Sequence, residues 1–425
     1  MIANVGDLKQ AWTEAKATKW HSLKNCAGAE MARFQVQGDE LCLIASDGEY
    51  RCAMLRIPLS QIDNQSFDYA ISYKAMDKIM GNVAKADYDR DVVITAVEET
   101  VEYETAGTYT NNYKDKETLT RIDSTITMSI DGIDYVIPCN EIDNTLNLFD
   151  HNGDTTYEMS MQIGDLRTAL TQVNASICTD ETRPILCGVH FAWDEDGFCR
   201  MVTTDTYRLT YTDMPITSDH DAPEKGVVIA MGTLVGMMAL TKQYDDNEII
   251  TMTILYGLVA QFTIGGNRAI CGRLVEGQYV NYMRVMGCEV YSDEMLFTFA
   301  FAGKAKDVSK RLTKIGKVGD DGYRLIYTFT KGSDVVHVAS YGEFIGMNNQ
   351  QAVTTCNVEL VAPAEHDIVL AYNWQYITDV IDRAGDEAPF KTVINTKRGE
   401  GMRSLFCSGN NSEFAVMPMQ PIPNA

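Results

Sequence analysis

Side chains able to ligate a metal or do catalysis are present, but they are not grouped as that chemistry requires. The six histidines fall at 21, 151, 190, 220, 337 and 366, without the HExxH spacing that sets two imidazoles on one helix face. His190 and His337 sit inside strand patterns and read as core or sheet-surface residues. Asp150-x-Asn152-x-Asp154 starts as a calcium loop does, yet the glycine and terminal glutamate are missing at the needed spacing, so it reads as a linker. Eleven cysteines, an odd number without any CxxC, read as buried thiols of a reducing cytoplasm rather than a disulfide framework or zinc site. There is no GxGxxG, P-loop or GxSxG. No catalytic residue, cofactor or metal is expected.

What remains able to act is charge. The formal net charge of −23 alone argues against nucleic acid, because binding it rests on neutralising phosphates. The distribution reverses that. Six segments with helical periodicity hold 15 Lys and Arg against 7 Asp and Glu, while the rest of the chain is strongly acidic. The extreme is 302–318, where Lys304, Lys306, Lys310, Arg311, Lys314 and Lys317 face only Asp307. Helices accept Glu as readily as Lys, so propensity does not explain the bias. A basic helical lining with an acidic exterior would repel DNA outside and accept it within.

The elements that must carry this charge repeat. Ala45-Ser46-Asp47-Gly48-Glu49 recurs as Ala339-Ser340-Tyr341-Gly342-Glu343, and more loosely as Thr203-Thr204-Asp205-Thr206-Tyr207. Gly6-Asp7-Leu8-Lys9 is echoed by Gly164-Asp165-Leu166-Arg167. Helices are predicted at 5–20, 72–86, 162–177, 231–243, 302–318 and 372–384. Four of them bury one stripe: Val5-Leu8-Trp12-Ala15, Ile163-Leu166-Leu170-Val173, Ala305-Val308-Leu312-Ile315 and Trp374-Ile377-Ile381-Ala384. Segment 231–243 is apolar nearly all round. Short alternating runs such as Val92-Val93-Ile94-Thr95, with Asp-Gly and Gly-Asp turns, predict antiparallel strands between the helices.

A repeat of roughly 140 residues in a 425-residue chain predicts three similar α+β domains, at 1–152, 153–288 and 289–425, the first with an extended hairpin near 98–123. No apolar run approaches the roughly 18 residues that span a bilayer, and Met1-Ile2-Ala3-Asn4 opens no signal peptide, so a cytoplasmic location without membrane contact is expected.

Thr182-Arg183-Pro184-Ile185-Leu186-Cys187-Gly188-Val189, Thr204-Asp205-Thr206-Tyr207-Arg208-Leu209 and Met214-Pro215-Ile216 resemble the bacterial DNA polymerase III β sliding clamp family. So do Leu274-Val275-Glu276-Gly277-Gln278-Tyr279 with Tyr282 and Arg284-Val285, and Phe414-Ala415-Val416-Met417-Pro418-Met419. The order and spacing hold through the second and third domains. The sequence is a divergent one, and a phage source is one reading of that divergence.

The resemblance implies three DNA-clamp domains per chain, sheets outside and two helices per domain lining a ring closed by a head-to-tail homodimer. It implies a processivity factor that encircles double-stranded DNA without sequence preference and tethers a DNA polymerase. A clamp loader would place it, and the chain itself would be a non-catalytic subunit of the polymerase holoenzyme. Residues near Ile315 would meet first-domain strands of the other copy.

Carried over residue by residue, the family's partner-peptide groove is Leu186, Thr204, Thr206, Tyr207, Arg208, Leu209, Val280, Arg284, Val285, Ser404, Ala415, Val416, Met417, Pro418 and Met419. Apolar side chains and methionines would form an adaptable pocket with Thr and Arg at its rim. Thr206-Tyr207 stand where the family has Gly-His, Val280 where it has proline and Gln420 where it has arginine. DNA contacts map to Lys24 and Arg183, with the helix cations Lys304, Lys306, Lys310, Arg311, Lys314 and Lys317. Two rivals are an interaction scaffold of the same fold and a cytosolic enzyme with an unrecognised site.

Overall fold

The computed structural model describes residues 1–18, 31–47, 51–62, 66–104, 109–110, 113–114, 118–140, 149, 155–193, 197–218, 226–286, 294–319, 323–344, 347–361, 367–395 and 404–419. Lys24, Gln420, the linker at Asp150–Asp154 and four of the histidines (21, 151, 220 and 366) lie outside the described residues.

Three times the chain runs strand, helix, four strands, helix, three strands. The first pass is β1 (Ile2–Asn4), α1 (Val5–Thr18), β2 (Met31–Gln37), β3 (Glu40–Ser46), β4 (Arg51–Gln61), β5 (Asp68–Ser72), α2 (Tyr73–Asn82) and β6 (Asp91–Glu104). Two short strands, β7 (Tyr109–Thr110) and β8 (Tyr113–Lys114), precede β9 (Thr118–Ile130) and β10 (Ile133–Asn140). The second is β11 (Thr155–Gln162), α3 (Ile163–Val173), β12 (Gly188–Trp193), β13 (Phe198–Thr204), β14 (Arg208–Pro215), β15 (Val227–Ala230), α4 (Met231–Thr241), β16 (Ile249–Leu255), β17 (Val259–Ile264) and β18 (Arg268–Arg273). The third is β19 (Glu294–Phe301), α5 (Ala305–Gly316), β20 (Arg324–Phe329), β21 (Val335–Phe344), β22 (Met347–Leu360), β23 (Ile368–Asn373), α6 (Trp374–Ala384), β24 (Pro389–Asn395), β25 (Leu405–Gly409) and β26 (Ser412–Val416).

Each predicted helix is present because its stripe is buried. Val5, Leu8, Trp12 and Ala15 of α1 are at most 1% exposed, as are Leu312 of α5 and Ile377 of α6. Fully burying such a side chain is worth about 1.5–3 kcal/mol. The ends differ from the periodicity. Helix α5 starts at Ala305 because Gly303 has φ +97° and Lys304 is extended, and α2 stops at Asn82 because Val83 is extended. Gly316 ends α5 against the indole of Trp374; a Cβ there would lie 2.3 Å from the ring, so only glycine lets α5 and α6 close on each other.

The chain divides into two compact units. Unit one comprises Met1–Gly164, Thr217–Asp221 and Ile229–Leu274; unit two comprises Asp165–Ile216, Ala222–Val228 and Val275–Ala425. Each is built on a 12-stranded sheet whose described pairings are antiparallel. The orders are β1-β6-β9-β10-β5-β2-β3-β4-β18-β17-β16-β11 and β15-β12-β13-β14-β26-β25-β24-β19-β22-β21-β20-β23. In unit one β4 joins β18 with Cys52 opposite Cys271, tying the first repeat to the second. In unit two β14 joins β26 with Leu209 opposite Ala415, tying the second repeat to the third. The ladder between β6 and β9 runs out to Glu104 opposite Thr118, the stem of the extra hairpin in the first repeat.

Two further strands hold the corresponding places in their repeats but join no other repeat in the described pairings. Strand β22 occupies in its repeat the place of β4 and β14, yet its described partners are β21 and, over Val358–Leu360 only, β19. Strand β10 occupies the place of β18 and β26, and its described partners are β9 and, over Cys139–Asn140 only, β5. Ile133 and Val136 on β10 are 55% and 62% exposed, and Val353 on β22 is 54% exposed. Ile315 itself, near which an interface was expected, is 6% exposed in the third repeat's core with Leu312, Phe329 and Ile381, because α5 turns its apolar stripe inward. No described helix is long and apolar enough to cross a membrane.

Candidate partner groove and nucleic-acid surface

The turn between β13 and β14 is built by its own polar side chains. Asp205 Oδ1 accepts the amides of Tyr207 and Arg208, each at 2.9 Å, and Oδ2 accepts Arg208 Nε at 3.0 Å. Thr204 Oγ1 accepts the Thr206 amide at 3.1 Å and donates to the Arg208 carbonyl at 2.7 Å. These bonds force Thr206 to φ +79°, a region that disfavours β-branched residues and suits the glycine that the resembling family carries there. Arg183 Nη1 donates to Thr206 Oγ1 at 3.3 Å and holds the turn from outside. The same aspartate-to-arginine clasp recurs in the first repeat, where Asp47 accepts the Arg51 amide at 2.9 Å and its Nε at 2.7 Å.

Leu209 follows the turn and lies 2% exposed in a small apolar cluster with Val202, Phe406 and Ala415, against which Tyr211, Tyr279, Tyr282 and Met286 pack. Leu186, closing a short 3₁₀ turn begun by Pro184, is also buried. Around this floor Tyr207, Val280, Met283, Val285 and Met417 remain 39–60% exposed. Arg284 is exposed. The Met417 amide donates to the Tyr207 carbonyl at 2.8 Å, and Ser404 Oγ reaches Met417 Sδ at 3.2 Å, so the last strand's exit is pinned to the β13–β14 turn.

Three of the expected residues are placed elsewhere or spent. Val416 alternates to the opposite face from Ala415 and is buried in the third repeat's core. Met419 bonds to the Ala371 carbonyl and packs on Ile326 and Ala371, a separate patch, with Pro418 half-buried between. Arg208 is no rim donor. Its Nη1 bonds Asp379 Oδ2 at 2.5 Å and its guanidinium lies 4.2 Å from the centroid of Tyr376, both on α6. Conversely, Val202, Phe406, Tyr279, Tyr282 and Met286 were not expected in the groove. Tyr279 and Tyr282 stood in a family-like stretch, but Val202 and Phe406 come in through strand pairing, which leaves no local signal.

His190 stacks on Tyr279 at 4.6 Å, and burial holds its imidazole down at about 4. The unfolded chain takes up that proton near the ordinary 6.5. The fold is therefore at full stability from this group above pH 6.5 and loses it as pH falls from 6.5 toward 4, by about 3 kcal/mol in all. Denaturant midpoints measured across that window should fall for the native chain and flatten in His190→Phe. Equal slopes in both would show that another group carries the acid sensitivity.

A cleft of about 620 Å³ adjoins the cluster through Tyr211, lined also by Asp165, Phe198, Asp213, Pro215 and Glu413. Its Asp213 is held by Arg200 at 2.6 and 2.7 Å, and its Glu413 accepts Ser408 Oγ at 2.7 Å.

The cations are less evenly spread than the segment totals suggest. All six on and beside α5 are exposed. Lys304 pairs with Asp386 at 3.3 Å and Arg311 Nη1 donates to the Thr355 carbonyl at 2.9 Å. On α2, Lys74 and Lys78 are exposed, while α4 carries no charged residue. Arg183 is engaged by Asp180 at 3.0 Å as well as by Thr206. Among the described residues no cluster of His, Cys, Asp and Glu could hold a metal ion.

Residues 160–281 match the family model described as the DNA polymerase III beta subunit, central domain. The chain is 24% identical over 223 residues to the beta sliding clamp of Halalkalibacterium halodurans, covering 52% of this chain and 54% of that protein. It is 25% identical over 228 residues to that of Staphylococcus aureus, covering 54% and 55%. The chain thus spans about half the length of the curated relatives it matches. The fold is similar over 99% of both chains to a DNA polymerase sliding clamp from Pseudomonas aeruginosa (TM-score 0.75, 13% identity). A Bartonella birtlesii sliding clamp bound to griselimycin is similar over the same share (TM-score 0.71, 12% identity). Residues 160–281 are thus similar to that central domain, and the chain has the α+β fold of the sliding clamps it resembles.

Proposed function

We propose that this chain is a DNA sliding clamp: a cytoplasmic, non-catalytic processivity factor that closes around double-stranded DNA as a head-to-tail homodimer of three-domain chains. The observation that carries this reading is the pair of partly unpaired strand edges. Two of the three joints between repeats are made within the chain, β4 to β18 and β14 to β26. The third needs β22 of one copy and β10 of another, and a closed pair of chains leaves neither edge unpaired. The two copies would bury Val136 and Val353, which are exposed in the single chain. The domains would be 1–152, 153–288 and 289–425.

The chain is expected to have the mass of two copies in solution, and Val136→Asp with Val353→Asp should leave it as one folded copy. Both positions are exposed, so the double variant should lose no more than about 0.5 kcal/mol per site in the single chain. A wild-type mass of one or three chains would sink the ring.

DNA would be held by phosphate contacts from α5, which carry no base information. A polymerase and a clamp loader would dock short apolar peptide segments over Leu209 and Ala415, between Tyr207, Val280, Val285 and Met417. Two buried anchor side chains, at about 1.5–3 kcal/mol each and less the cost of ordering the peptide, correspond to roughly micromolar binding. Met417→Glu places a charge at an exposed rim position and is expected to abolish polymerase stimulation while the two-chain mass is kept. Undiminished stimulation would place docking elsewhere.

A further inference from the structure

Among the described residues two pairs of cysteines are set side by side by backbone pairing, and they differ in access. Cys52 and Cys271 stand directly opposite on β4 and β18, both at most 2% exposed, and the Cys271 thiol donates to Gln261 Oε1 at 3.5 Å. Cys178 and Cys187 close the loop that carries Arg183 and Leu186. The Cys178 amide donates to the Leu186 carbonyl at 3.2 Å, which draws the two ends of the loop together and sets Cys187 beside Cys178. Cys187 Sγ also donates inside the loop, toward the Asp180 carbonyl at 3.3 Å and the Arg183 carbonyl at 3.6 Å. Cys187 is half-buried, so a small oxidant can reach it, whereas Cys178 behind it is 4% exposed.

We propose that Cys178 and Cys187 are a reversible disulfide site that switches the loop beside the partner groove. The co-reactant is a low-molecular-weight disulfide, R–S–S–R. Cys187, as thiolate, attacks one sulfur, forming the mixed disulfide Cys187–S–S–R and releasing RS⁻. Cys178, having given up its proton, then attacks Cys187 Sγ and expels the second RS⁻. Two thiols are oxidised, one R–S–S–R is reduced to two R–SH, and the protons go to the leaving thiolates. The product bond removes the Cys187 S–H that now ties the loop to the Asp180 and Arg183 carbonyls, so Arg183 and Leu186 must resettle. Burial and the nearby carboxylates hold the Cys187 thiol above its ordinary range, so the reaction should run faster at pH 8.5 than at pH 7. The consequence for peptide docking rests on the groove proposed above; the cross-link itself does not.

The test uses the full chain treated with oxidised glutathione, followed by alkylation and peptide mapping. Trypsin leaves the Arg183–Pro184 bond intact, so both cysteines share one peptide, and cleavage after Glu181 then separates them unless they are cross-linked. The expected result is one disulfide between Cys178 and Cys187, about 2 Da lighter and reversed by dithiothreitol, while Cys52 and Cys271 are recovered as thiols. In Cys178→Ser the glutathione adduct should instead persist on Cys187. Cys178→Ala serves if the serine variant does not fold. Cys178 and Cys187 both recovered as thiols, or a cross-link seen only after unfolding, would overturn the site. An apolar peptide that binds the reduced chain should bind the oxidised chain at least about threefold differently. Equal binding overturns the switch, whereas no binding in either state counts against the groove and leaves the cross-link to be judged by its mass.

Discussion

Replacing Glu14 by Gln is expected to lower the unfolding free energy by about 3–5 kcal/mol, because it removes one partner of a buried ion pair and leaves the other charge behind. Glu14 on α1 and Arg268 on β18 have side chains only 10% and 7% exposed. Arg268 Nη1 adds bonds to the carbonyls of Arg56 at 3.0 Å and Asn267 at 3.1 Å, and Gln10 donates to Glu14 Oε1 at 2.9 Å. The guanidinium is therefore locked in place and cannot swing to water when the carboxylate goes. Denaturant midpoints at neutral pH would measure the loss. The double change Glu14→Leu with Arg268→Met should recover most of it, since apolar replacement of both partners removes the unpaired charge. A loss below about 1 kcal/mol in Glu14→Gln would mean that water reaches the pair.

Charge reversal at Lys310, Arg311 and Lys314 should have the largest effect on DNA. All three are exposed on α5, whose apolar stripe of Ala305, Val308, Leu312 and Ile315 is untouched, so the helix should still fold. What is lost is the bond from Arg311 to the Thr355 carbonyl and its interaction with the Cys356 side chain. Each phosphate contact contributes roughly 0.9 to the slope of log affinity against log salt, so removing three per chain should shorten residence on circular DNA by about tenfold or more and flatten the salt dependence. Unchanged residence and slope would exclude α5 from the DNA-facing surface. Release of the wild-type protein on linearising the circle would be the signature of encirclement, and retention on unblocked linear DNA would sink it.

The positions of all six helices were legible in the residues themselves. A stripe such as Val5-Leu8-Trp12-Ala15 marks a helix and its buried face together, and the alternation of Val92, Val93 and Ile94 marks a strand, because both periodicities relate neighbours a few residues apart. The threefold repeat and the basic character of α5 were legible for the same reason. Strand partners were not. That Ala415 lies on the groove while Val416 lies in the core, that Met419 packs on Ile326, and that Arg208 is spent on Asp379 all follow from which elements distant in the chain meet in the fold. The partly unpaired edges of β10 and β22 follow from the same choice. A strand's sequence states which face it can bury; only the assembled sheet decides which neighbour covers that face and which backbone edge is left open, because the hydrogen bonds that join strands are common to every residue and leave no mark in the side chains.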